Sequence, residues 1–144
     1  MKVLTHNLGL PRIGANRELK HALEAHWAGK SNEEALLAVA KAIRQQNWQL
    51  QKAIGIDLIP SNDFSLYDHV LDACALVGAV PNRFRWAGGD VDRSTYFAMA
   101  RGSQAPVRGR GEAAGALEMT KWFDTNYHYL VPELHPGQAF RLAS

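Results

Sequence analysis

Leu50-Gln51-Lys52-Ala53-Ile54-Gly55-Ile56-Asp57-Leu58-Ile59-Pro60 joins two kinds of pattern within a few residues. Up to Ile54 the apolar positions keep helical spacing, running from Leu36 through Ala40, Ile43 and Leu50. Gly55 stops that helix, and Ile56–Pro60 reads as a short strand ended by proline. Ser31 followed by Glu34 reads as the capping box that opens the helix.

The same alternation continues on either side. Val3 to Gly9 reads as a strand that feeds the turn Gly9–Gly14. Asn16 is placed to cap a helix ending near Ala28, with Leu19, Leu23 and Trp27 on one face and Gly29 as its stop. Downstream, Asn62 or Asp63 is placed to cap a helix over Ser65–Val77, closed by Gly78. A loop centred on Ala87–Asp90 leads to a helix capped by Ser94 and ending at Ala100. Residues 101–116, rich in Gly and Arg, read as a mobile loop. Leu117–Phe123 and Tyr129–Leu134 are strand candidates, and Phe140 and Leu142 look like inward positions of one more. The expected class is α/β, with three or four parallel strands and crossover helices.

Length and composition fit one ordinary globular domain: 144 residues, 47% hydrophobic and 21% charged. A net charge of +2 without a dense basic run argues against nucleic acid, though it leaves room for a small anionic ligand. No apolar run is long enough to span a membrane, and the first residues lack a signal peptide's apolar core, so cytoplasm is the expected compartment. The single cysteine, Cys74, shares an apolar helical face with Leu66, Val70 and Val77, the pattern of a buried hydrophobe.

Sites of chemistry are sparse. The six histidines form no metal-ligand motif, and no nucleophile elbow is present. Gly9-x4-Gly14 has the spacing of a phosphate loop, but Ala15-Asn16 follows where Lys-Ser/Thr is needed, so a tight turn is the plainer reading. Arg17-Glu18-Leu19-Lys20 opens a helix, where backbone N–H groups favour anions. Arg17 and Lys20 are three apart and share a side, either as a solvated face or as a pair converging on one anion.

Glu118 to Glu133 is dense in polar groups set among aromatics and alternates like a buried strand. Lys121 and Phe123 fall on one face, Thr120 and Trp122 on the other. Lys121 is either an edge lysine that discourages aggregation or a ligand cation in a barrel mouth. Asp57 and Asp68-His69 are open between cap, satisfied core group and site residue.

Several blocks together carry a resemblance: Asn7–Gly14, Arg17–Lys20, Ala53–Pro60, Asp63–Asp72 and Met119–Glu133, in this order and spread over nearly the whole chain. They resemble the N-terminal domain of cobalamin-independent methionine synthase. The resemblance implies that residues 1–144 form the first part of a TIM-type (β/α)8 barrel, incomplete in this chain. It implies a methyltransferase that moves a methyl group from 5-methyltetrahydropteroyl-triglutamate to homocysteine, giving methionine without cobalamin. In the family a zinc ion in a C-terminal domain holds the homocysteine sulfur as a thiolate. Its His, Cys and Glu ligands have no counterpart here, so no residue of this chain is assigned a catalytic or metal-binding role. The family's residues for the folate glutamate tail match Arg17, Glu18, Leu19, Lys20 and Lys121, with Asn126 in the same block as Lys121. A string of carboxylates suits lysine and arginine; Glu18 and Leu19 suit a structural or backbone role.

Because the family's chain is several times longer, this one is expected to be a fragment that does not catalyse methyl transfer alone. An open parallel edge would make it prone to self-association. The other readings are a stand-alone module that holds polyglutamylated folate or another small polyanion, and a partner that pairs its open edge with another chain.

Overall fold

In the computed structural model of the chain, which describes residues 3–103 and 113–142, the long helix starts one residue later than Ser31 suggests. Asn32 is the cap, accepting from the Ala35 N–H at 2.9 Å, and the helix spans Glu33–Ala53. Ser31 and Glu34 do not form the expected box. Both Ser and Asn cap well, and local spacing does not choose between neighbours. The described residues divide into two compact units, with the boundary between Leu66 and Tyr67.

The first unit holds α1 (Glu18–Trp27) and α2 (Glu33–Ala53), which pack together. Leu19 and Leu23 of α1 and Leu36, Ala40 and Ile43 of α2 are buried, as their spacing requires. The stripe ends there: Leu50 and Ile54 are exposed, and Gln51 is buried instead. Gly29 and Gly55 follow the helices with φ of 67° and 87°. The two strands expected at Val3–Gly9 and Ile56–Pro60 do not form as strands. A single parallel bridge, His6 to Leu58, joins these segments across the helices, with the Leu58 N–H donating to the Thr5 carbonyl at 3.0 Å. Val3, Leu4, Leu8 and Leu58 stay exposed, so among the described residues this edge gains no burial that would extend the pairing.

Side chains do the joining that a ladder would have done. The Asp57 carboxylate accepts from the Thr5 N–H and hydroxyl, both at 2.9 Å, and these bonds hold its pKa below the ordinary value. Asp57 is therefore a structural latch. Asp63, expected as a helix cap, instead accepts from the Leu10 N–H at 3.1 Å. Arg12 donates to the Ser65 and Leu66 carbonyls, each at 3.2 Å.

The second unit holds α3 (His69–Leu76), a 3-10 turn (Asn82–Phe84), α4 (Arg93–Arg101), β1 (Met119–Lys121) and β2 (His128–Leu130). The caps are Asp68 for α3 and Asp92 for α4, not Asn62, Asp63 or Ser94. α4 is buried from Thr95 to Ala100, the signature of a helix covered on all sides. Cys74 is buried, and burial followed by the Asp68 charge raises its thiol pKa.

The pairing of β1 with β2 is antiparallel, with Met119 opposite Leu130, Thr120 opposite Tyr129 and Lys121 opposite His128. Among the described residues this is the one named sheet, so the class is α/β but the expected run of three or four parallel strands is not seen. Both strands are shorter than Leu117–Phe123 and Tyr129–Leu134. The expectation for residues 101–116 falls largely on 104–112, outside the described residues; Ser103 and Ala114 form an antiparallel bridge. Phe140 and Leu142 are exposed and belong to no strand.

Arg83 braces this unit. Its guanidinium forms a forked ion pair with Glu133 and donates through Nε to the Gly115 carbonyl at 3.0 Å. The hydrogen bond from Arg83 holds the Glu133 carboxyl below its ordinary value of 4.5. A lowered carboxylate pKa stabilises the fold above that ordinary value, and the contribution is lost as pH falls through the folded pKa. Glu133→Gln is therefore expected to flatten the acid side of the profile of melting temperature against pH, below about pH 4.5. A variant profile parallel to that of the parent chain would remove the role.

Candidate functional site

Two segments carry the residues singled out in the sequence, and each is described within its own unit. In the first, Arg17 is the residue before α1 and adopts the left-handed conformation at φ 62°. Asn16 is not the cap. The N-cap residue is Arg17, which makes no side-chain cap bond; the Glu18 carboxylate turns back onto the preceding turn, accepting from the Asn16 N–H at 3.0 Å and the Asn16 side-chain amide at 3.2 Å. A bond from its own backbone N–H is the largest cause of its lowered pKa.

The N-terminus of α1 thus already has an anion. Gly14 leaves room for that carboxylate, since a Cβ there would overlap it. Neither end of the Gly9–Gly14 turn is open for phosphate: the Asp63 carboxylate stands over Gly9 and that of Glu18 over Gly14. What the segment offers a ligand is its cations. Arg17 is exposed; Lys20 is half-buried and lies 3.5 Å from Glu24, a surface pair of small energy. Leu19 is fully buried and its N–H donates to the Ile13 carbonyl at 3.1 Å, so its role is structural.

A left-handed arginine costs about 1 kcal/mol that glycine would not. Arg17→Gly is expected to leave stability unchanged or raised by up to about 1 kcal/mol, while weakening anion binding. Chemical denaturation and ligand titration on one sample check both parts; an unfolding midpoint well below that of the parent chain would show that the arginine is held for structure.

The second segment is the β1–β2 hairpin. Lys121 ends β1, and Asn126 lies in the turn, its carbonyl accepting from His128 Nδ1 at 3.0 Å. The structure therefore brings Lys121 and Asn126 onto one hairpin. It does not bury them: Lys121, Asp124, Asn126 and His128 are all exposed, so the expectation of a buried strand is overturned. Phe123 does not share a strand face with Lys121, because it leaves the strand with φ 46° and is 80% exposed. Trp122 packs edge-on against Phe123 and Tyr129, with ring centroids 5.2 and 5.4 Å apart.

Asp68 is the functional-looking carboxylate whose role resolves most clearly. It is 4% exposed, caps α3 through the Leu71 N–H at 2.9 Å, and also accepts from the Tyr127 hydroxyl at 3.3 Å and the Leu130 N–H at 3.4 Å. It is a satisfied core group. Its reach into the hairpin could not be read from spacing, since Tyr127 and Leu130 lie about sixty residues further on. Nearby in the same unit, the Tyr96 hydroxyl donates to Asp72 at 2.5 Å and accepts from the Tyr67 N–H at 3.2 Å. Among the described residues, no group of three or more His, Cys, Asp or Glu is placed to hold a metal ion. Among the described residues, no helix is long and apolar enough to cross a membrane.

Residues 4–144 match the family model of the cobalamin-independent synthase N-terminal domain, and the chain belongs to that family. Among curated proteins it is 58% identical to a 5-methyltetrahydropteroyltriglutamate--homocysteine methyltransferase of Caulobacter vibrioides, over 100% of this chain and 20% of the relative. It is 61% identical to the protein of that name from Chelativorans sp., over 95% of this chain and 18% of the relative. The protein of that name from Nitrosomonas europaea is 56% identical over 100% of this chain and 18% of its own length. The chain thus spans about a fifth of these relatives.

Proposed function

We propose that this chain serves cobalamin-independent methionine synthesis, as the segment that helps hold the glutamate tail of 5-methyltetrahydropteroyl-triglutamate. The observation that carries the reading is the family match over residues 4–144, with relatives whose name states that folate and homocysteine. The transfer itself moves a methyl group from the folate to the homocysteine sulfur. Zinc, which the family uses to hold that sulfur, does not fit the described residues of this chain.

Tail binding falls to Arg17 and Lys20 beside α1 and to Lys121 with Asn126 on the hairpin. Arg17 and Lys121 are exposed, and Lys20 has only a surface partner, so a carboxylate ligand can recruit each at little cost. Glu18 holds the start of α1, and Leu19 anchors it in the core. The parallel His6–Leu58 bridge around α1 and α2 supports reading the α/β chain as the first part of a TIM-type barrel. We assign the chain to the cytoplasm, with no nucleic-acid or membrane partner.

The test is a titration of 5-methyltetrahydropteroyl-triglutamate into the chain and into Lys20→Ala and Lys121→Ala. Each lysine contact is worth about 1–2 kcal/mol, so each variant is expected to raise Kd roughly 5–30-fold. Parent-like Kd in both variants would remove the tail-binding role.

A further inference from the structure

We infer that Asp68 is a positioning residue for tail binding: its buried carboxylate holds the β1–β2 hairpin in the form that presents Lys121 and Asn126. The inference rests on the tail-binding reading and names a residue on which that site depends.

The hairpin has two strands of three residues, and among the described residues no third strand flanks it. Such a hairpin is marginal without outside support. The pairing shows where support is needed. Val131 donates to Glu118 and Trp122 donates to Tyr127, each at 2.8 Å, so opposite residues at these positions are the hydrogen-bonded pairs. In an antiparallel ladder the alternate pairs are not hydrogen-bonded. Met119–Leu130 and Lys121–His128 are therefore the alternate pairs, and the Leu130 N–H points away from β1. Leu130 is 1% exposed, so water cannot satisfy that N–H; the Asp68 carboxylate does, at 3.4 Å.

The other carboxylate oxygen takes the Tyr127 hydroxyl at 3.3 Å. The two residues held, Tyr127 and Leu130, bracket His128, the partner of Lys121. Tyr127 also borders the turn that carries Asn126. One carboxylate, fixed by the first turn of α3, thus sets the hairpin on both sides of the proposed ligand residues.

Three variants test this on the intact chain. Asp68→Ser keeps a good N-cap for α3 but is too short to reach the hairpin. Asp68→Asn keeps both the cap and a carbonyl acceptor for the Leu130 N–H. Lys121→Ala removes the ligand cation itself. Two quantities are read: amide hydrogen exchange along residues 119–130, and the ratio of affinities for tri- and monoglutamate 5-methyltetrahydropteroyl folate. Asp68→Ser is expected to speed hairpin exchange roughly tenfold or more while α3 stays protected, and to lower the affinity ratio about as far as Lys121→Ala does. Asp68→Asn is expected to restore most of both.

If Lys121→Ala lowers the ratio and Asp68→Ser does not, the positioning role is overturned and tail binding stands. If Lys121→Ala leaves the ratio unchanged, the hairpin's part in tail binding is overturned, and the positioning role with it. Should Asp68→Ser fail to fold, Tyr127→Phe carries the test by cutting one arm of the clamp. A roughly two- to threefold drop in the ratio is then expected, and an unchanged ratio overturns the proposal.

Discussion

Asp68→Leu is expected to destabilise the chain by about 3–4 kcal/mol, measured as a lowered denaturant midpoint. Leucine fills a similar volume, so the loss does not come from a cavity. It comes from three donors that lose their acceptor: the Leu71 N–H at the start of α3, the Leu130 N–H on the covered edge of β2, and the Tyr127 hydroxyl. Loss of the cap alone is worth about 1 kcal/mol, and a buried N–H left without a partner costs about 1–3 kcal/mol. Tyr127 is half exposed and can turn its hydroxyl to water, so it adds least. Asp68→Asn keeps the two acceptor bonds to backbone and is expected to lose less than half as much. Equal losses in the two variants would show that charge, rather than acceptor geometry, is what the site supplies.

Gly9→Ala is the second large effect, about 2–4 kcal/mol by the same measurement. Gly9 has φ 107°, which alanine enters only with strain, and a Cβ there would come within 2.7 Å of the Asp63 Cγ. Asp63 cannot simply withdraw, since its carboxylate satisfies the Leu10 N–H at 3.1 Å. Strain and a displaced hydrogen bond therefore add. Gly29→Ala is the matched control, with φ 67° but open space around the missing Cβ. It is expected to cost only about 1 kcal/mol. If the two substitutions cost the same, the close approach of Asp63 to the turn contributes nothing.

These residues also mark what could be read ahead of the structure. Helix faces were legible where short-range spacing decides them: Leu19 with Leu23, and Leu36 with Ala40 and Ile43, all lie in the core. Cys74 is buried as its face implied. Caps were less legible, because Ser31 and Asn32, or Ser94 and Asp92, are chemically equivalent candidates and packing of the helix selects one. Asp63 was the expected helix cap and Asp68 was open between cap, core group and site residue, yet Asp63 is taken by a turn more than fifty residues away and Asp68 serves both α3 and the hairpin.

Strands were the least legible. Val3–Gly9 and Ile56–Pro60 have β-forming residues, but a strand needs a partner along its length, and the described residues supply one bridge. At the candidate site, the residue types for an anionic ligand were visible in Arg17, Lys20 and Lys121. The carboxylate of Glu18 turned onto its own helix was not, because it depends on the left-handed turn at Arg17.

The most direct test of the central claim is calorimetric titration of the chain with tri- and monoglutamate forms of 5-methyltetrahydropteroyl folate. Recognition through Arg17, Lys20 and Lys121 is expected to make the triglutamate bind at least about tenfold tighter, a margin that shrinks as salt is raised because these cations are largely solvent-facing. Equal affinity for the two forms, or a preference indifferent to salt, would contradict a role for this chain in holding the tail.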